Sequence, residues 1–173
     1  HDPRRFALSV LATILGGGMS SRLFHEVREK RGLAYYVRTS AEHYDDCGTL
    51  VTTSGVDPKR IDEAIKVILE EYHKIRSQKS EVSSQELAKA KEYMKGHLVL
   101  EFEDSRAVAG FYGSQEILER NVETIDEAIA KITAVTVEEV EAVAEEIFKL
   151  QSLNLAVIGQ FDSRQRFEDL LKL

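Results

Sequence analysis

The sequence predicts an α+β domain in which a small, mainly antiparallel sheet packs against several helices. Apolar residues recur at helical spacing in six or seven segments, whereas β-favouring residues are concentrated in only three runs. The strands do not alternate with the helices, so a parallel βαβ sheet is not expected. Because no linker, repeat or low-complexity tract interrupts the chain, residues 1–173 are predicted to form a single domain.

The composition is that of an ordinary globular protein, with 43% hydrophobic and 31% charged residues. A formal net charge of −7 gives no reason to expect nucleic acid or an anionic membrane surface as a partner. No apolar run reaches the ~18 residues that cross a bilayer. The single cysteine, Cys47, excludes an internal disulfide and suits a reducing compartment, so a cytoplasmic location is expected.

Two helices and a hairpin are predicted in the first third of the chain. Asp2 followed by proline has the form of a helix N-cap, and the apolar periodicity of this helix ends at Gly16. A second helix follows the glycine run and is expected to stop at Gly32. Two runs of β-favouring residues, 34–44 and 49–56, then flank a turn that contains glycine, which predicts a β-hairpin.

Capping patterns predict most of the later helices. Asp57 precedes a proline and a long amphipathic stretch, and a polar loop is expected over residues 77–81. A Ser or Thr stands three residues before a Glu at three further helix starts, which are Ser83, Thr124 and Thr136. A break near Asp104 and Ser105 is predicted to separate the helix that starts at Ser83 from a further helix.

The end of the chain is predicted to add a third strand and a final helix. Residues 153–159 have the composition of a short central strand, and residues 161–173 have the pattern of a helix. Three strands are few for so many helices, so a first strand preceding His1 is expected to be missing. An edge left open in this way is expected to recruit a neighbouring chain, including a second copy of this one.

The glycine-rich segment is the first candidate binding site. It comprises the following residues: Gly16, Gly17, Gly18, Ser20 and Ser21. Glycine-rich turns at helix N-termini bind phosphate, but this segment follows a helix and lacks the spacing of phosphate-binding loops. Two interpretations stay open, a flexible connection capped by one of the serines and a mobile segment whose amides contact an extended peptide.

Arg28 and Tyr35 form the second candidate site. Gly32 allows the chain to turn between them, so the guanidinium and the phenol are able to converge on one point. Two such donors suit a carbonyl oxygen that gains negative charge. The alternative, which the residues alone favour, is that Arg28 pairs with Asp45 or Glu101 while Tyr35 is a core aromatic residue.

A zinc site is not expected in these 173 residues. His25 and Glu26 stand side by side on the predicted second helix, as in some zinc peptidases. Zinc-binding motifs of that kind need a second histidine one turn away, and position 29 is a glutamate. The other histidines are scattered singly.

Several stretches of the sequence resemble one peptidase family. They are Leu15–Phe24, Glu26–Tyr35, Gly48–Leu50 and Ile132–Val140. Together they are similar to the C-terminal half of the pitrilysin and mitochondrial processing peptidase family of inverted zinc metallopeptidases, in its short bacterial-type branch. The resemblance covers nearly the whole chain and implies the half-domain fold of LuxS and mitochondrial processing peptidase-like metallohydrolases.

The resemblance implies a shared active site. In this family the N-terminal half carries H-x-x-E-H and binds zinc, and the C-terminal half supplies an arginine and a tyrosine that match Arg28 and Tyr35. These two residues are then expected to contact the scissile carbonyl and stabilise the oxyanion. The glycine-rich segment is expected to bind the peptide substrate. Because the zinc motif is absent here, this chain alone should not hydrolyse peptides.

The partners implied are an extended peptide substrate and the zinc-bearing N-terminal half, either in the same protein or in a partner subunit. One alternative is a non-catalytic subunit of the same family that binds peptide or supports assembly. Another is a self-contained helical adaptor, which predicts that no large apolar surface is left bare.

Overall fold

The computed structural model describes residues 2–44, 46–77, 81–119 and 121–171. Within these residues, one antiparallel hairpin is accompanied by helices that come mostly after it, which confirms the predicted α+β class. The strands are β1 (Ala34–His43) and β2 (Gly48–Val56). The α-helices are α1 (Arg5–Gly16), α2 (Ile61–Ser77), α3 (Ser84–Glu101), α4 (Ser105–Ser114), α5 (Ile125–Ala134), α6 (Val137–Ile147) and α7 (Gln165–Leu170).

Helix α1 is the centre of the core. It lies against β1 and also contacts α3, α5 and α6. Its inward side chains Val10, Leu11 and Leu15 are completely buried. Burying a side chain of this size contributes roughly 1.5–3 kcal/mol, so this helix is a main source of the stability of the domain.

Polar contacts attach the hairpin to the helices behind it. The hydroxyls of Thr39 on β1 and Thr52 on β2 lie 2.7 Å apart, and that of Thr52 lies 2.5 Å from the hydroxyl of Tyr72 on α2. The Tyr72 ring in turn stacks on Phe148, directly after α6, with 4.4 Å between centroids. Because each of these three partly or fully buried hydroxyls has a partner, none is left as a desolvated, unpaired polar group.

The close approach of α1 to β1 depends on a residue without a side chain. A Cβ on Gly16, the last residue of α1, would lie 2.4 Å from the backbone nitrogen of Thr39. Glycine is therefore required here by packing, although its own conformation is an ordinary helical one.

The capping predictions agree with the structure except at α1 and at the helix that follows the glycine-rich segment. The capping boxes at Ser83, Thr124 and Thr136 are all formed. Asp57 also accepts a bond from a backbone amide, at the start of a short 3-10 turn before α2. By contrast, Asp2 caps a turn that precedes α1, which begins only at Arg5.

The predicted third strand is wrong. Residues 153–159 have no regular secondary structure, and the sheet of the described chain has two strands. A strand is defined by hydrogen bonds to a neighbour, and the sheet pairing of the described residues joins β1 to β2 alone. Ile158 within it is fully exposed, although Val157 contacts the core.

The remaining differences concern boundaries. The final helix is shorter than predicted, since α7 covers Gln165–Leu170. Of the loop predicted at 77–81, residues 78–80 lie outside the described residues.

None of the described helices combines the length and apolar character that crossing a membrane requires.

We predict that Gly16→Ala destabilises the 173-residue chain by about 1–3 kcal/mol, because the new methyl group overlaps the backbone of β1. Urea unfolding followed by circular dichroism measures this change in the free energy of unfolding. The matched control is Gly110→Ala on the exposed side of α4, where a Cβ meets nothing within 4 Å. That control should be neutral or stabilising by up to about 1 kcal/mol. Equal effects at the two glycines would contradict the packing requirement at Gly16.

Candidate functional site

The candidate site begins with a π-helix, Phe24–Glu29. Its wider turn is seen in the bond from the amide of Lys30 to the carbonyl of His25, 2.9 Å and five residues away. Val27 is buried inside it, whereas Arg28 points outward and is exposed. Single turns of π-helix occur often at functional sites, because they shift the side chains that follow around the helix axis.

Gly32 ends this helix and reverses the chain, as the sequence predicts. Its φ of +56° lies in the left-handed region, which other residues adopt at a cost. Its amide donates to the carbonyl of Arg28 at 3.1 Å, which is the bond of a left-handed helix C-cap. The guanidinium of Arg60 also donates to the Arg31 carbonyl at 3.0 Å. The reversal leads directly into β1.

Arg28 and Tyr35 are brought together by this reversal. The guanidinium carbon of Arg28 lies 5.9 Å from the centroid of the Tyr35 ring. Tyr35 is 84% exposed, so it is not the core residue that the alternative interpretation requires. The Arg28 guanidinium and the Tyr35 ring thus lie close to one another at the surface.

The basic residues next to Arg28 pair with carboxylates, whereas Arg28 has no such partner among the described residues. His25 on the π-helix pairs with Glu29 at 2.8 Å. Lys30 and Arg31, directly after the π-helix, both pair with Glu26 at 2.6 Å. Arg28 makes no ion pair or side-chain hydrogen bond with any described residue. Its predicted alternative partner Glu101 is therefore not bound to it, and Asp45, the other one, lies outside the described residues. Its guanidinium donors have no acceptor in the described part of the chain.

The residues of the glycine-rich segment lie in different environments. Gly16 and Ser21 are buried, Gly17 and Gly18 are half-buried, and Ser20 is exposed. The Ser21 hydroxyl donates to the Gly18 carbonyl at 2.6 Å, so it closes the turn and does not cap the helix that follows. Cβ atoms on Gly17 and Gly18 would meet Thr13 and Tyr93 at 2.8 and 3.0 Å. Close packing thus accounts for the glycines, and peptide contact by this segment stays a prediction.

A polar cleft of about 540 Å³ is lined by the end of the glycine-rich segment, the π-helix, α2 and the start of α3. Arg22, on its wall, donates to the Glu86 carboxylate at 2.8 Å and to the Glu81 carboxylate at 2.9 Å. Burial opposes ionisation of Glu86, but hydrogen bonds from Arg22 and Ser83 outweigh it and hold the pKa of that carboxyl below its usual value. Arg22 thereby fixes the turn of the glycine-rich segment to the body of the domain.

The described residues do not fit a zinc ion. They contain no group of three or more His, Cys, Asp or Glu side chains placed to bind a metal. His25, the histidine next to Glu26, bonds to Glu29 on its own helix. Zinc sites in proteins have three or four convergent protein ligands. The described residues of this chain offer no such set.

The sequence reasoning missed Phe24 and Arg22. The Phe24 ring lies 4.8 Å from the Arg28 guanidinium carbon. The sequence did offer a sign of this contact, because Phe24 and Arg28 are four residues apart, a spacing that places side chains on one face of a helix. Nothing comparable in the sequence pointed to Arg22, because its partners are about 60 residues away along the chain.

We predict that Glu26→Gln weakens folding at neutral pH and has little effect in acid. Hydrogen bonds from Lys30 and Arg31 lower the pKa of Glu26 to about 2. A carboxylate with a lowered pKa stabilises the folded state above its unfolded value, near 4.3, and loses this effect as the pH falls toward 2. Urea unfolding at pH 6, 5, 4 and 3 should show a difference of up to about 1 kcal/mol that shrinks with pH.

The control for this measurement is the same substitution in a Lys30→Gln background, where Glu26 has lost one donor. The pH-dependent difference should be smaller there. An unchanged difference at every pH, in either background, would mean that the ion pairs of Glu26 do not stabilise the helix.

Comparison with known proteins identifies the family. Residues 1–94 match the model of the peptidase M16 inactive domain. The chain is 36% identical over 164 residues to an uncharacterized zinc protease of Streptomyces coelicolor, covering 95% of this chain and 35% of that protein. It is 28% identical over 141 residues to a probable inactive metalloprotease of Bacillus subtilis, covering 82% and 32%.

A solved structure agrees with these matches. The crystal structure of a peptidase M16 inactive domain from Pseudomonas fluorescens is similar with a TM-score of 0.70 and 27% identity, covering 84% of this chain and 34% of that one. The chain spans about a third of the length of each of these proteins. The resemblance drawn from the glycine-rich block is thus confirmed by fold and by sequence, and the chain belongs to the peptidase M16 family as its C-terminal, inactive domain.

Proposed function

We propose that this domain is the C-terminal half of a zinc metalloendopeptidase and contributes substrate binding and oxyanion stabilisation. The observation that carries the proposal is the pair of exposed donors, Arg28 and Tyr35. The guanidinium has no acceptor among the described residues, and it lies within 5.9 Å of the tyrosine ring. A charged donor left without an acceptor is suited to a ligand that brings one.

The chemistry proposed is stabilisation of charge on a peptide carbonyl. During peptide hydrolysis the carbonyl oxygen becomes an oxyanion, which is stabilised best by donors that are already in place. The Arg28 guanidinium offers several N–H groups and a full positive charge, and the Tyr35 hydroxyl offers one more donor. Their exposure on one side of the domain leaves room for an extended peptide between this domain and a partner.

The glycine-rich segment is proposed to bind the same peptide on the N-terminal side of the π-helix. Ser20 is exposed there, and Gly17 and Gly18 are half-buried. The amides and hydroxyl of such a turn suit the backbone of an extended chain better than a side chain of one particular type.

Zinc and the residues that activate water are proposed to lie in an N-terminal half that closes over this domain, in the same protein or in a partner subunit. The Streptomyces relative is described as a zinc protease and is almost three times as long as the aligned region. This chain alone is therefore expected not to hydrolyse peptides. The exposed thiol of Cys47 suits a reducing compartment such as the cytoplasm. A second copy of the chain is proposed to pair at an open edge of the sheet.

We predict that Arg28→Ala in the full-length protein lowers kcat/KM for a fluorogenic peptide by about 100-fold, the typical cost of losing one oxyanion donor. Tyr35→Phe removes only the hydroxyl and should lower kcat more than it raises KM. Steady-state cleavage measured over a range of peptide concentrations separates the two constants.

The matched control is Arg164→Ala, which removes a surface arginine whose side chain is 91% exposed and which lies before α7. It should leave turnover unchanged. If Arg28→Ala stays within about threefold of wild type, the oxyanion role is wrong, and an equal loss in the control would point to a general charge effect.

A second candidate function is a non-catalytic subunit that binds peptide or supports assembly. The similarity to a probable inactive metalloprotease of Bacillus subtilis favours it. In that case the full-length protein binds a labelled peptide, measured by fluorescence anisotropy, without cleaving it. Arg28→Ala then weakens binding, because the guanidinium still meets the peptide backbone.

A further inference from the structure

The Arg28 guanidinium is held by aromatic rings and not by carboxylates. Its carbon lies 4.8 Å from the centroid of Phe24 and 5.9 Å from that of Tyr35. Both carboxylates of the π-helix, Glu26 and Glu29, are paired with other basic side chains. The helix therefore places its acidic groups where they do not compete for Arg28.

A ring and a carboxylate hold a guanidinium in different ways. A carboxylate binds the N–H groups themselves, so an arginine held in that way has fewer donors for a ligand. An aromatic ring attracts the cation through its face and leaves the N–H groups in the guanidinium plane free. Phenylalanine also has no polar group with which to bind the substrate in place of Arg28.

Phe24 is the fixed member of the pair of rings. It is partly buried and packs against the hydrophobic core, whereas Tyr35 is 84% exposed. It begins the π-helix and stands four residues before Arg28, so both side chains project from one helical segment. Its position is thus set by contacts with the core.

We infer that Phe24 is a positioning residue that holds the Arg28 guanidinium by a cation–π contact and keeps its donors free for the peptide carbonyl. This inference rests on the function proposed for Arg28. It assigns no contact between Phe24 and the substrate.

The test replaces Phe24 by phenylalanines with one, two and three ring fluorines in the full-length protein. Fluorine withdraws charge from the ring face and hardly changes its shape, so packing is retained while the cation–π attraction weakens. We expect kcat for a fluorogenic peptide to fall stepwise, reaching about 2- to 5-fold with three fluorines, and KM to stay within about twofold. If the protein binds peptide without cleaving it, the same stepwise loss is expected in the affinity.

Two sets of controls complete the test. The same fluorinated residues at Phe111, whose ring contacts Phe102 and Tyr112, should leave kcat unchanged. Phe24→Ala should lower kcat by about tenfold, because loss of the ring lets the guanidinium leave its position. Phe24→Tyr keeps an aromatic ring and should retain most of the wild-type rate. In an Arg28→Ala background the fluorinated series should have no further effect.

The outcomes separate this inference from the function on which it rests. If Arg28→Ala leaves both cleavage and peptide binding unchanged, the proposed function is wrong and the role of Phe24 is lost with it. If Arg28→Ala has its expected effect but the fluorinated series stays flat, only the role of Phe24 is wrong. A loss confined to Phe24→Ala would show that the residue acts through packing alone.

Discussion

A left-handed residue at Gly32 ends the π-helix and turns the chain back along it, so that β1 starts beside the last turn of the helix. The proximity of Arg28 and Tyr35 depends on this reversal, because seven residues of continuous helix or strand would separate them by about 10 Å or more. The turn is supported from both sides, by the Gly32 amide bound to the Arg28 carbonyl and by Arg60 bound to the Arg31 carbonyl.

The reversal needs a rigid support, which α1 provides. Gly16 lets α1 lie directly against Thr39 of β1, and the hydroxyl chain behind that contact attaches the hairpin to α2. On this support the π-helix distributes its charges unevenly. Glu26 and Glu29 pair with neighbouring basic residues, whereas Arg28 lies near the rings of Phe24 and Tyr35. Core packing and local electrostatics together therefore leave Arg28 without a carboxylate partner among the described residues, although the basic residues next to it are paired.

Local interactions explain why much of the fold is predictable from the sequence. The capping boxes and the glycine C-cap act over three to five residues, so the composition around Ser83, Thr124, Thr136 and Gly32 was enough to place the corresponding helix ends. The hairpin was predictable for the same reason. The third strand at 153–159 was not, because its residues favour a strand but a strand also requires a neighbour that is distant in sequence.

The sequence by itself determined the α+β class and the family, and it singled out Arg28 and Tyr35 as the two candidate donors, since these depend on composition, spacing and a distinctive block of residues. Only the tertiary structure showed that Arg28 has no acceptor among the described residues, and that Tyr35 is exposed and not buried. It also showed that Gly16, Gly17 and Gly18 are closely packed and that the Phe24 ring lies beside the Arg28 guanidinium. Each of these depends on which surfaces meet across the chain, and that is settled by the collective packing of the core around α1.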